Sequence, residues 1–167
     1  MISKVRVAAL CALGLATQGC GGAGGGDAAA AAQALLAAAQ AGDAAKFEAV
    51  IDRPALRAEL RQQIIGVGQA NGLDVGGPSD TALDRMIGPQ AVHLVPAAGG
   101  AALAGPPTPA QVAGQVKPAG AGRVCLHDLT PQQGCLLTFL HEKAGWRLVS
   151  MPSGDVVVAI PPAEAKK

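Results

Sequence analysis

Residues Arg123 to Met151 read RVCLHDLTPQQGCLLTFLHEKAGWRLVSM, and they hold the single Trp, one of two Phe and two of four Cys of the 167-residue chain. Turn residues divide this stretch into three apolar runs: Val124–Leu129, Cys135–Glu142 and Trp146–Met151. The connections Thr130-Pro131-Gln132-Gln133-Gly134 and Lys143-Ala144-Gly145 are short and contain Gly or Pro, the mark of a β-meander. Side chains alternate faces along a strand, so Cys135, Leu137 and Phe139 are expected on one face, matched by Trp146 and Leu148 on the next strand. The other face carries Thr138, Glu142, Arg147 and Ser150 beside Leu136 and Leu140, so one side should meet helices and the other stay partly wet.

Cys125 and Cys135 flank the first connection. A bridge between them would close a short loop and stabilise the fold by on the order of 2 to 3 kcal/mol on the chain-entropy view. Two buried free thiols are the alternative, and an oxidising compartment would favour the bridge.

The amino terminus points to such a compartment. Lys4 and Arg6 precede the apolar run Val7–Leu15, which is too short to span a bilayer, so residues 1–19 are expected to be a secretory signal peptide. Thr17-Gln18-Gly19-Cys20-Gly21 resembles a bacterial lipoprotein signal, with Thr17 where that family carries Leu. The resemblance implies lipidation of Cys20 and, with no Asp after it, a periplasmic domain anchored to the outer membrane. Ordinary cleavage nearby is the alternative, but it would leave Cys20 a lone thiol in an exported protein.

Residues 20–26 are read as a Gly-rich tether, 27–160 as one domain and 161–167 as a disordered tail. Asp27 is expected to cap an Ala-rich helix over Ala28–Ala41 that buries little area. Gly42-Asp43 ends it and starts a helix with Phe47, Val50 and Ile51 inward. Asp52 and Pro54 open a third, with a stripe of Leu56, Leu60, Ile64 and Val67. Its Arg53, Arg57 and Arg61 form either an anion or headgroup patch or a solvated face, and a net charge of only +1 favours the second. Ser79 or Asp80 caps a helix with Leu83, Met86 and Ile87 inward; Pro89 opens one more turn through Val92–Val95. Residues 97–122, Ala-, Gly- and Pro-rich with a single charge at Lys117, read as a flexible loop. Val156–Ile160 is read as a fourth strand at the meander edge, stopped by Pro161-Pro162. The fold class is therefore α+β: N-terminal helices packed on a small C-terminal antiparallel β-meander of three to four strands.

Asp52–Ile64, DRPALRAELRQQI, resembles an uncharacterised family of exported bacterial proteins with the signature Asp-Phe-Pro-x-Leu-Arg-x-Ser-Leu. Asp52, Pro54, Leu56, Arg57, Leu60 and Gln63 match it, while Arg53 and Glu59 depart from it. That family has no assigned activity. The helix order and closing Gly145-Trp146-Arg147 strand also look like the NTF2-like and cystatin-like class, which implies helices on a curved antiparallel sheet.

The chemistry-bearing residues are His93, His127, Asp128, His141 and Glu142. Strand neighbours point to opposite faces, so neither His127-Asp128 nor His141-Glu142 forms a pair, and His127 and His141 are expected about 13 Å apart along the strands. No catalytic, cofactor-binding or metal residue is assigned on this reading. It favours an envelope module that binds a small apolar ligand or another protein between sheet and helices, with no nucleic-acid partner given the near-neutral charge and scarce aromatics. The alternative is an NTF2-like enzyme with a His or Asp in its pocket.

Overall fold

A computed structural model describes residues 23–74, 76–97, 102–129 and 134–162. The signal segment, Cys20 and the tail from 163 lie outside the described residues. Local chemistry sets the helices: α1 (Ala23–Ala41), α2 (Ala44–Ala49), α3 (Arg53–Ala70), α4 (Asp80–Met86) and α5 (Pro109–Ala113). The carboxylates of Asp43 and Asp52 each accept from a backbone N–H three residues on, at 3.0 Å, and the Ser79 hydroxyl does the same for α4. Gly42 supplies the left-handed φ of 64° that lets α1 turn into α2.

The strands are β1 (Val92–Pro96), β2 (Val116–Gly120), β3 (Arg123–His127), β4 (Cys135–Glu142), β5 (Gly145–Ser150) and β6 (Val156–Ile160). They form an antiparallel sheet of order β2-β3-β4-β5 and a parallel pair β1-β6. The α+β class stands, with helices N-terminal to a C-terminal antiparallel sheet.

Five expectations are corrected. The described part of 97–122, from residue 102 on, is not a structureless loop: Thr108 and Gln111 make a reciprocal capping box for α5, and β2 pairs with β3 around a turn whose Ala121 and Gly122 have φ of 48° and 69°. Val156–Ile160 leaves the meander and pairs in parallel with Val92–Pro96, which is a strand after a single 3-10 turn at Pro89–Ala91. A parallel partner 64 residues away leaves no local signal, because the crossover between the two strands contains the whole meander. The proposed tether 20–26 overlaps helix, since α1 begins at Ala23. Val67 is 61% exposed, so the α3 stripe ends at the half-buried Ile64.

The Ala-rich helix is the centre of the molecule. Ala28, Ala32, Leu35, Leu36 and Ala39 are all buried, and α1 touches α2, α5, β1, β2, β4 and β5. Methyl-sized side chains let both sheets approach the helix closely, so alanine here is a packing device more than a propensity choice. Against α1 the larger sheet presents its inner face, Val124, Leu126, Leu137, Phe139 and Leu148, each 6% exposed or less. Fully burying a side chain of this size contributes about 1.5 to 3 kcal/mol.

Two short devices tie the parts together. The linker between α2 and α3 runs beside β5: Leu148 N–H donates to Val50 O and Asp52 N–H to Leu148 O, both at 2.9 Å. Buried Gln115 bridges the sheets, its Nε2 donating to His127 O at 3.2 Å and Ala159 O at 2.9 Å.

Candidate functional site

Irregularities in β4 and β5 decide where the chemistry sits. Leu126 pairs with Leu137 but His127 with Cys135, so one extra residue, Leu136, is inserted in β4. The bulge turns Cys135 off the inner face. Cys135 is exposed instead of sharing the core with Leu137 and Phe139, and its Sγ lies 3.2 Å from the Thr138 hydroxyl. Cys125 and Cys135 are joined, with Cα atoms 5.4 Å apart. Trp146 is half-buried, its ring 5.0 Å from that of His141, and its Nε1 has no hydrogen-bond partner among the described residues.

The five chemistry-bearing residues do not converge. His93 on β1 faces Asp155, with Nε2 to Oδ2 3.8 Å. His127 ends β3, and the next residue, Asp128, folds back so that its carboxylate accepts from Leu129 N–H at 2.8 Å. His141 covers Trp146, and Glu142 lies 3.7 Å from Arg147 Nε. Among the described residues no three His, Cys, Asp or Glu side chains could hold a metal ion together.

The arginines of α3 are engaged. Arg53 donates from Nε to Glu48 at 2.8 Å and from Nη1 to Asp84 at 3.0 Å. Arg57 forks onto both oxygens of Asp84 at 2.7 and 2.6 Å, and Arg61 pairs with Asp80. Planar guanidinium forks suit such bidentate contacts. Hydrogen bonds from Arg57 and then Arg53 hold Asp84 below the ordinary carboxylate range, and those from Arg53 do the same for Glu48. The row therefore bolts α3 to α4 and α2, and its charge is matched from within the fold.

Of the grooves on the surface of the described residues, three bear on the candidate chemistry. The first, about 480 Å³, runs between α3 and the outer face of the sheet, past Glu59, Gln62, Arg123, Thr138, Leu140 and Ser150. A second of about 460 Å³ is apolar and separates α1 from α2 at Ala34, Ala37, Ala41 and Val50. The third, about 430 Å³, lies where the two sheets meet, at Val95, Leu136 and Val157 with Asp128 and Asp155 at its rim. None of the three is lined by a histidine. Thr138 and Ser150 are legible as residues of the wetter face, but Arg123 and Gln62 are not singled out by the sequence because they meet that face only across long separations. Arg123 opens the strand run, though, and an arginine next to a turn glycine was the one local signal available.

Residues 20–111 match the family described as Protein of unknown function (DUF2939), and the chain, more than half of which is covered, belongs to it. The match takes in α1 to α4, β1 and the opening of α5, including the stretch Asp52–Ile64. No curated protein and no solved structure matches the chain.

Proposed function

We propose that this member of the family is an exported, non-catalytic interaction module, held at the periplasmic face of the outer membrane by a lipid on Cys20. The observation that carries the reading is the filled interior around α1. Leu35, Leu36, Phe47, Phe139 and Leu148 occupy the space between helices and sheet where a small-molecule enzyme would need a cavity. An NTF2-like enzyme would require an imidazole and a carboxylate facing substrate in an enclosed pocket. Here His141 sits on Trp146 and His93 on the far sheet. Binding on this reading belongs to the outer grooves, to a partner in the envelope or a small ligand, and not to the core.

The early start of α1 sharpens the anchoring proposal. Only Gly21 and Gly22 separate Cys20 from Ala23, so the domain would lie within about 10 Å of a lipid at Cys20, against the membrane and not on a long leash. Mass spectrometry of the protein recovered from membranes tests this. A mature chain beginning at Cys20 with a diacylglyceryl modification supports the reading, and a soluble chain with an unmodified Cys20 overturns the anchor.

A further inference from the structure

The outer-face groove has a distinct chemical arrangement. Cross-strand register places Arg123 opposite Leu140, on the same face as Thr138. Phe139 pairs with Leu148 but Thr138 with Ser150, so Val149 is an inserted residue in β5, and the bulge sets Ser150 opposite Thr138, both lining the groove. The opposite wall is α3, whose Ala55 and Ala58 leave the space open and whose Glu59 and Gln62 reach along it. Unlike Arg53, Arg57, Arg61 and Arg147, Arg123 has no carboxylate within ion-pair distance among the described residues. The groove thus has an uncommitted guanidinium on the strand side, a carboxylate on the helix side and two hydroxyls on its floor.

We propose that this groove binds a short zwitterionic peptide, its carboxylate on Arg123 and its ammonium group toward Glu59. A guanidinium accepts a carboxylate bidentately, and about 480 Å³ is in the range of pockets for small ligands. The hydroxyls of Thr138 and Ser150 and the Gln62 amide serve the peptide bond between the two ends. The inference rests on the reading of the chain as a non-catalytic binding module and is independent of the lipid anchor.

Calorimetry on the full chain in detergent micelles tests it, with L-alanyl-L-alanine as probe. Saturable binding is expected, weakened at least roughly tenfold when the probe is N-acetylated or C-amidated, since each block removes one charge-assisted contact. Arg123→Ala and, separately, Glu59→Gln should each weaken it about tenfold or more, while Lys117→Ala, on exposed β2 outside the groove, leaves it unchanged. Both groove residues are at the surface, and circular dichroism melts identify any variant that has lost its fold. Absence of saturable binding at millimolar probe, equal binding of the blocked peptides, or indifference to both groove substitutions would overturn the inference. A lipidated chain that binds no peptide removes this inference alone, whereas a peptide-binding chain with unmodified Cys20 removes the anchor alone.

Discussion

Replacing Ala32 with Leu should destabilise the protein although the two residues are nearly equal in helix propensity. Ala32 is 0% exposed in the middle of α1, with Leu35 and Leu36 one turn on at 0% exposure and both sheets in contact with the helix. Three added carbon atoms have nowhere to go without shifting neighbours that are themselves packed, and overpacking of this kind costs about 1 to 3 kcal/mol. Ala30→Leu is the control, because Ala30 is exposed on the same helix and surface changes of this type fall within about 0.5 kcal/mol of zero. Urea unfolding followed by the fluorescence of Trp146 gives both values, and an unchanged denaturant slope confirms that only stability has moved. If the two variants unfold at the same urea concentration, α1 is not the wedge between the sheets, and the account of the core is wrong.

Acidification should weaken the α3–α4 junction. Glu48 and Asp84 have depressed pKa values in the folded chain, so their contribution is present above the ordinary carboxylate range and is lost as pH falls through and below it. Melting temperature measured from neutral pH down to pH about 3 should fall more steeply for the natural chain than for Asp84→Asn, whose curve starts lower and is flatter; parallel curves would refute the coupling. Gln115→Leu leaves the carbonyls of His127 and Ala159 without their donor, at a cost of about 1 to 3 kcal/mol by chemical denaturation, and no change would mean that the two sheets are not pinned there. Opening the Cys125–Cys135 bond with a reductant should lower stability by on the order of 2 to 3 kcal/mol, given a separation of 10 residues, and equal stability with and without reductant would contradict it.

What could be read from the residues follows what is local. The caps at Asp43, Asp52 and Ser79, the inward Phe47, Leu56, Leu60 and Leu83, and the β3–β4–β5 meander depend on neighbours within one or two turns. The pairing of β1 with β6 depends on residues 64 positions apart, as in Val92 with Val156, and alternation along one strand carries no information about a distant partner. The bulges at Leu136 and Val149 were equally hidden, yet they displace Cys135 from the core face and bring Ser150 into the groove. The alanines of α1 misled in another way: small side chains look incapable of forming a core until the elements that close over them are known. The arginines of α3, expected on a solvated face, instead clamp neighbouring helices, and their partners at Glu48, Asp80 and Asp84 become visible only with α4 in place.

Hydrogen exchange across α1 tests most directly whether the interior is closed. If Ala28–Ala41 fills the space between the two sheets, its amides should exchange only when the whole molecule unfolds, alongside those of β4 and β5. Exchange of that segment far ahead of the sheet, at rates near those of exposed turns, would mean that the helix leaves its seat and that the space beneath it is open to ligand.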